Sequence, residues 1–236
     1  MIRANAMIDP PKTRESKPPG RTIAIGDIHG CRTALDALLA AIQPRPNDTI
    51  VTIGDYIDRG PDSRGVIETL LALRKQCRLV PLLGNHEQML FSARSSHDMF
   101  DRWLKYGGTA TLASYCGDDL HAMPMEHGWF LDSCRLYFET DTHFFIHANY
   151  DQNLPLGEQN EDTALCLSLN EHVPGPHLSG KTAIVGHTAQ LEGEILDLGH
   201  LVCIDTNCYG GGCLTAINVG TGQLWQTREP VGLCVG

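Results

Sequence analysis

Thr22-Ile23-Ala24-Ile25-Gly26-Asp27-Ile28-His29-Gly30 is a short apolar run that stops at a glycine and then offers a carboxylate and an imidazole two residues apart. The pattern returns at Thr49-Ile50-Val51-Thr52-Ile53, which leads into Gly54-Asp55-Tyr56-Ile57-Asp58-Arg59-Gly60. Three more runs end in the same way. Leu79-Val80-Pro81-Leu82-Leu83 precedes Gly84-Asn85-His86-Glu87, His143-Phe144-Phe145-Ile146 precedes His147-Ala148-Asn149, and Thr182-Ala183-Ile184-Val185 precedes Gly186-His187-Thr188. Runs this short, rich in β-branched residues and bounded by glycine, read as buried strands.

Helical periodicity lies between the first strands. Residues 32–42 (RTALDALLAAI) carry apolar positions at helical spacing and stop before Pro44. Residues 63–76 behave alike, with Ser63 as the expected N-cap. Alternating strand and helix implies parallel pairing with right-handed crossovers, and such sheets bind ligands at the carboxyl ends of their strands. The polar clusters fall at those ends, which places them along one edge of one sheet. After the fifth cluster the texture changes. Residues 201–206, 214–219 and 224–226 read as strands joined by glycine-rich turns, with Gly220-Thr221-Gly222 as a hairpin connection. This antiparallel finish is expected to form a second sheet packed on the first. The fold class is therefore α/β, with two packed mixed β-sheets flanked by helices.

Residues 88–141 are too long for a simple connection and open with a helical pattern. They are expected to form a helical cap or insert beside the mouth of the site. Residues 1–20, rich in Pro and charge over 9–20, are expected to be a flexible tail. Residues 21–236 then form a single domain, a size that suits one substantial core.

Composition narrows the function. Twenty-eight acidic residues against 18 Lys and Arg give a formal charge of -10, which argues against a nucleic-acid surface. It leaves phosphate substrates open, because bound cations invert the local field. No apolar stretch reaches membrane-spanning length and the N-terminus has no signal-type apolar core, so a cytoplasmic protein without a membrane partner is expected. Nine cysteines, an odd number without CxxC pairing, read as reduced thiols. Cys31, beside the first cluster, reads as a packing residue.

The clusters carry the chemistry. Asp27, His29, Asp55, Asn85, His147 and His187 mix carboxylate, amide and imidazole donors, a set suited to Mn, Fe or Zn rather than to a thiolate site. One Asp has two oxygens and can bridge two cations.

In the order GDIHG, GDYIDRG, GNHE, His and GHT, the chain resembles the PPP family of metallophosphoesterases, which have the calcineurin-like phosphoesterase fold. That family includes the serine/threonine protein phosphatases and the symmetrical diadenosine tetraphosphatases. The likeness runs from Arg21 to Gln226, and the stretch Trp103, Tyr106-Gly107-Gly108, Leu112, Tyr115 is similar to that of small bacterial and phage members. The resemblance implies two divalent metal ions, Mn2+ first with Fe or Zn as alternatives. Asp27, His29 and Asp55 would hold one ion. Asp55, Asn85, His147 and His187 would hold the other. His86 would act as general acid, oriented by Asp58. Arg59 and Asn85 would bind the phosphoryl group. Two such ions about 3.5–4 Å apart turn a shared water into hydroxide near neutral pH.

The implied activity is hydrolysis of phosphomonoesters. Asp58-Arg59 and Glu87 point toward phosphoserine and phosphothreonine in proteins, a phosphoprotein phosphatase. The alternatives are a symmetrical diadenosine tetraphosphatase or small phosphate-ester hydrolase, and a catalytically weak regulatory or binding protein on the same scaffold. Two departures stand out. Asn149 replaces the usual last residue of the fourth motif, a change that left-handed backbone there would accommodate. Residues 148–180 contain no Arg or Lys, where relatives carry a second phosphate-binding Arg. Arg102 or Lys105 of the insert is the expected substitute.

Overall fold

The computed structural model describes residues 20–230. The expected tail, apart from Gly20, lies outside the described residues. The first sheet is built on β1 (Thr22–Ile25), β2 (Thr49–Thr52) and β3 (Arg78–Pro81). These pair in parallel, with Ile23 opposite Ile50 and Ile50 opposite Leu79. The crossovers are α1 (Arg32–Ile42) and α2 (Ser63–Leu73). Helix α1 buries Ala34, Leu35, Leu38 and Ile42 and ends where Gln43 turns left-handed ahead of Pro44. The N-cap of α2 is Asp62, whose side chain accepts the Gly65 N–H at 2.8 Å. Ser63 is instead the first helical residue, and its hydroxyl turns inward to accept the Asp58 N–H at 3.1 Å.

The insert begins with α3 (Asn85–Ala93) and α4 (His97–Trp103). A π-helical turn at Leu104–Gly108 leads to α5 (Thr109–Ser114), and α6 (Met125–Asp132) follows. Trp103, Leu112, Phe130 and Leu131 enter the same apolar cluster as Ile23, Ile25, Leu35 and Ile67. The insert is thus part of the helical layer on the first sheet. It also contains β4 (Tyr137–Glu139), the edge strand of the second sheet.

The second sheet adds β5 (His143–Ile146), β6 (Thr182–Val185), β7 (Leu196–Asp197) and β8 (Leu201–Cys203), in the order β4-β5-β6-β8-β7. Helix α7 (Glu161–Cys166) lies in the connection from β5 to β6. The expected antiparallel finish is divided: its opening residues, Leu201–Cys203, are β8 and lie parallel to β6 in the second sheet, while the rest does not join that sheet. β9 (Asp205–Thr206), β10 (Cys213–Asn218) and β11 (Leu224–Thr227) extend the first, with β10 antiparallel to β1 and Ile25 opposite Ala216. The hairpin at residues 220–222 does join β10 to β11.

Side chains alternate across the first sheet. Ile23, Ile25 and Ile50 face the helices, while Ala24, Val51 and Val80 meet Phe145, Ile184 and Val202 of the second sheet. Both faces are covered, which explains the near-continuous apolar runs. Each fully buried Ile or Phe here contributes about 1.5–3 kcal/mol of transfer free energy. The consequence for the site is that its clusters do not share one sheet edge. The loops after β1, β2 and β3 come from one sheet, and those after β5 and β6 from the other.

Candidate active site

The three loops of the first sheet are laced together by their backbones. The N–H groups of Ile28 and His29 donate to Asp55 O at 3.1 and 2.8 Å, and Gly30 N–H donates to Tyr56 O at 2.9 Å. The second loop's own donors turn to Glu87. Its carboxylate, wholly buried, accepts Asp55 N–H and Tyr56 N–H at 2.9 Å each and Gly84 N–H at 3.1 Å. Sequence reading took Glu87 as a sign of substrate class, but its contacts make it a fastener between loops. The two sheets meet where His147 Nδ1 lies 2.8 Å from Ile53 O, and within the second sheet Gly186 N–H donates to His147 O at 2.7 Å.

This lacing holds unfavourable backbone. His29, Asp55, Asp58, Arg59 and His187 all have positive φ, at 45, 50, 71, 68 and 62°. A left-handed non-glycine residue costs on the order of 1–2 kcal/mol. Asn149 is not among them: its side chain instead donates to His172 O at 2.8 Å and accepts the Tyr150 N–H.

Hydrogen bonding decides which nitrogen each histidine presents. A carbonyl oxygen only accepts, so His29 Nδ1–H donates to Ile57 O at 2.9 Å and His147 Nδ1–H to Ile53 O. Their Nε2 lone pairs then face Asp55, at 3.3 Å from Oδ2 and 3.5 Å from Oδ1. His187 donates through Nε2 to Cys166 O at 3.1 Å and presents Nδ1 to Asn85 Oδ1 at 3.0 Å. Asn85 Oδ1 is also 3.0 Å from His147 Nε2. Backbone carbonyls that fix the tautomer of a ligating imidazole are a recurrent feature of metal centres.

Among the described residues, two groups could each hold a metal ion: His29, Asp55 and His86, and Asp55, His147 and His187. Asp55 belongs to both. Asp27 stands beside them, its Oδ2 accepting the His187 N–H at 2.9 Å, while its Oδ1 is buried without a hydrogen-bond partner. Gly186 makes that approach possible, since a Cβ there would collide with Asp27 Oδ1. Burial, together with the Asp205 and Asp55 carboxylates, raises Asp27 well above the usual carboxylate range. Burial acts on Asp55 in the same sense, but His147, His86 and His29 hold it well below that range. Burial lowers His147, and burial with His147 alongside lowers His187 to about 4. The lowered His147 and His187 beside the Asp55 carboxylate, with the orphan oxygen of Asp27, fit a pair of divalent cations.

His86 is wholly buried. Its Nδ1 lies 2.7 Å from Asp58 Oδ2, and its Nε2 has no hydrogen-bond partner. Arg59 Nη1 is 3.0 Å from His29 Nε2, and its guanidinium lies over the Tyr209 ring at 4.7 Å. Tyr209 also meets His29 edge-on at 4.9 Å. Sequence reading missed Tyr209, and it missed Asp205, a buried carboxylate beside Asp27. Neither lies in one of the five clusters; only their position just past β8, in the glycine-rich finish, could have drawn attention.

Two cavities flank these groups. One of about 590 Å³ is lined by Asn85, His187, Gln88, Met99, Arg102 and Tyr106. The other, about 430 Å³, is lined by Arg59, Tyr209, Cys31, Cys208 and Glu229 among others. Lys105 lines neither. A larger hollow of about 680 Å³, around Arg94, His97 and His121, contains none of the cluster residues. Cys31 is buried in the helical-layer core, and the neighbouring Cys208 thiol, together with burial, raises its own. Of the remaining histidines, His127 and His177 are buried and bonded to Tyr115 and Leu154, and His97 is exposed.

A carboxylate shared by two ligand groups, set at the strand ends of an α/β sandwich, is the architecture of a metal-dependent phosphoesterase. Residues 20–191 match the model of the calcineurin-like phosphoesterase family, and the chain belongs to that family. Within it the chain is related to bacterial PPP-type phosphatases and similar phosphoesterases. It is 32% identical over 205 residues to serine/threonine-protein phosphatase 1 of Salmonella typhimurium, covering 83% of this chain and 90% of the relative. It is 27% identical over 271 residues to the symmetrical bis(5'-nucleosyl)-tetraphosphatase of Klebsiella pneumoniae strain 342, covering 88% and 92%. A crystal structure provisionally described as a diadenosine tetraphosphatase superposes with a TM-score of 0.70 at 22% identity, covering 90% of this chain and 95% of that one. Among the described residues no helix is long and apolar enough to cross a membrane.

Proposed function

We propose that this protein hydrolyses small phosphate esters, with dinucleoside polyphosphates as the first class to test. The carrying observation is a pair of cavities, one lined by Asn85 and the other by Arg59, each with a half-exposed tyrosine: Tyr106 in the first (50% exposed) and Tyr209 in the second (41%). Cavities of this size suit a small organic molecule. Two aromatic rings flanking a phosphate site suit a substrate with a ring at each end. The likeness to symmetrical tetraphosphatases supports this reading. The phosphoprotein reading keeps one support, the 32% identity to a bacterial serine/threonine phosphatase.

In this reading Asp27, His29 and Asp55 hold one divalent cation, and Asp55, Asn85, His147 and His187 hold a second. Mn2+ is the ion to try first, then Fe and Zn. When bound, the two ions supply an activated water and offset charge on the phosphoryl oxygens. The chain's own residues do the rest. Asp58 accepts a hydrogen bond from His86 Nδ1–H and fixes the ring, so that the protonated imidazole aims its Nε2–H at the departing alkoxide and is left neutral when that proton is given up. Arg59 and Asn85 hold the phosphoryl oxygens, and a planar guanidinium suits that task better than an ammonium. Arg102, the basic side chain that shares a cavity with Asn85 and His187, takes the place of the Arg missing from residues 148–180. Helix α4 and the turn after it form one wall of the substrate groove.

The test is turnover of diadenosine tetraphosphate, a phosphoserine peptide and p-nitrophenyl phosphate by the Mn2+-loaded protein. The expected order puts the dinucleotide first. A preference for the phosphopeptide would replace the substrate class. No turnover of any ester with two ions bound would leave the regulatory-scaffold reading in its place.

A further inference from the structure

We propose that Trp103 and Thr111, both from the insert, are positioning residues that hold Asp58 so that His86 presents Nε2 to the leaving group. The proposal rests on the acid role assigned to His86 above. Asp58 is wholly buried, and among the described residues no Lys or Arg bonds its carboxylate. Its oxygens are met instead by the donors of Trp103, Thr111 and His86. Trp103 Nε1–H lies 2.9 Å from Oδ2 and 3.1 Å from Oδ1, Thr111 Oγ1–H donates to Oδ1 at 2.7 Å, and His86 Nδ1 is 2.7 Å from Oδ2. Thr111 also accepts the Asp58 N–H at 2.9 Å. With that acceptance made, its hydroxyl proton is free for the carboxylate, and both ends of Asp58 close on one side chain.

The local fold is shaped for this clasp. Trp103 and Thr111 are eight residues apart, about 12 Å along a regular helix, too far for both to reach one carboxylate. The π-helical turn at Leu104–Gly108 folds the chain back between them, with Gly107 at φ 116°. Gly107 O accepts the Arg59 N–H at 3.2 Å, and a Cβ on Gly107 would collide with Arg59. Gly108 lies flat against the Trp103 indole, where a Cβ would collide with the ring. The insert thus grips the left-handed Asp58–Arg59 pair by both backbone and side chain. π turns inside helices occur frequently at functional sites. An indole N–H is a donor only, so Trp103 meets Asp58 as a donor to both of its oxygens.

The consequence is specific to proton delivery. If Asp58 turns away, His86 loses the acceptor that orients its ring, while the metal-side residues keep their partners. A poor leaving group needs the proton and a good one does not. The experiment compares phenyl phosphate with 2,4-dinitrophenyl phosphate in Mn2+-loaded wild type, Trp103→Phe, Thr111→Val and Thr111→Ser. Phenyl phosphate kcat should fall about tenfold in Trp103→Phe and Thr111→Val, with KM unchanged, while dinitrophenyl phosphate kcat stays within about twofold. Thr111→Ser should restore the phenyl phosphate rate. Proton and nitrogen-15 spectra should show a strongly hydrogen-bonded His86 Nδ1–H in wild type and a weakened one, shifted upfield, in Thr111→Val. Equal losses on both esters, or no loss on phenyl phosphate, would overturn the proposal. If Trp103→Phe does not fold, the Thr111 pair decides alone. Failure of the underlying reading looks different: wild type would hydrolyse neither ester, or His86→Asn would slow both alike.

Discussion

Glu87 accepts the backbone N–H of Asp55 at 2.9 Å, so the residue that closes the third cluster holds the strained backbone of the second. Three more N–H groups, from Tyr56, Ile57 and Gly84, converge on the same carboxylate. Glu87→Gln would turn an amide NH2 toward at least one of these donors. A loss of about 2 kcal/mol is expected from the unmatched buried groups. Urea unfolding of the metal-free variant checks it; an unchanged midpoint would show that the lacing contributes little.

Asp55 is the residue common to both ligand groups, so its loss should remove both ions rather than one. Titrating Mn2+ into wild type should raise the unfolding temperature, because a ligand at about 100 times its Kd adds about 2.7 kcal/mol. Asp55→Asn should show almost none of that rise. A full rise in the variant would mean that the ions bind elsewhere.

His187 gives a pH dependence with a definite sign. Its folded-state value is lowered from 6.5 to about 4, chiefly by burial. Between those values the unfolded chain takes a proton that the native chain refuses, so stability falls as pH drops through that window. Above 6.5 the residue has no such effect. In chelator, the unfolding midpoint of wild type should lose ground to that of His187→Asn between pH 7 and pH 4.5. A constant gap across that range would contradict the assignment.

Arg102 and Lys105 separate cleanly. Only Arg102 lines the cavity shared with Asn85 and His187. Arg102→Ala should raise KM for an anionic dinucleotide about tenfold, the loss of one charge-assisted contact, with a smaller effect on kcat. Lys105→Ala should leave both constants within twofold. Equal effects from the two variants would place the second anionic contact elsewhere.

Much of this molecule is legible in its residues because the signals are local. A β-branched run ended by glycine declares a strand and its turn. The bounds of α1 follow from apolar spacing and Pro44, and agree with the structure over Arg32–Ile42. The order of five clusters is specific enough to name a family before any coordinate is known. Less local features went astray. Ser63 was read as a cap because its type suits one, whereas its hydroxyl is drawn inward to Asp58. The final strands were assigned a sheet of their own because pairing partners are set by contacts made across about 190 residues, as with β10 on β1.

The residue sequence by itself determined the strand–helix alternation, the family and the kinds of side chain at the strand ends. Tertiary structure alone decided that those ends come from two sheets and that Asp55 joins two ligand groups. It also decided that Glu87 fastens loops and that Trp103 and Thr111 close on Asp58. The reason is physical. A strand or a turn is specified by neighbours in the chain, but a ligand set and a buried hydrogen bond are specified by neighbours in space. Which nitrogen a histidine presents depends on a carbonyl such as Ile53 O, 94 residues away from His147, and no local pattern records that distance.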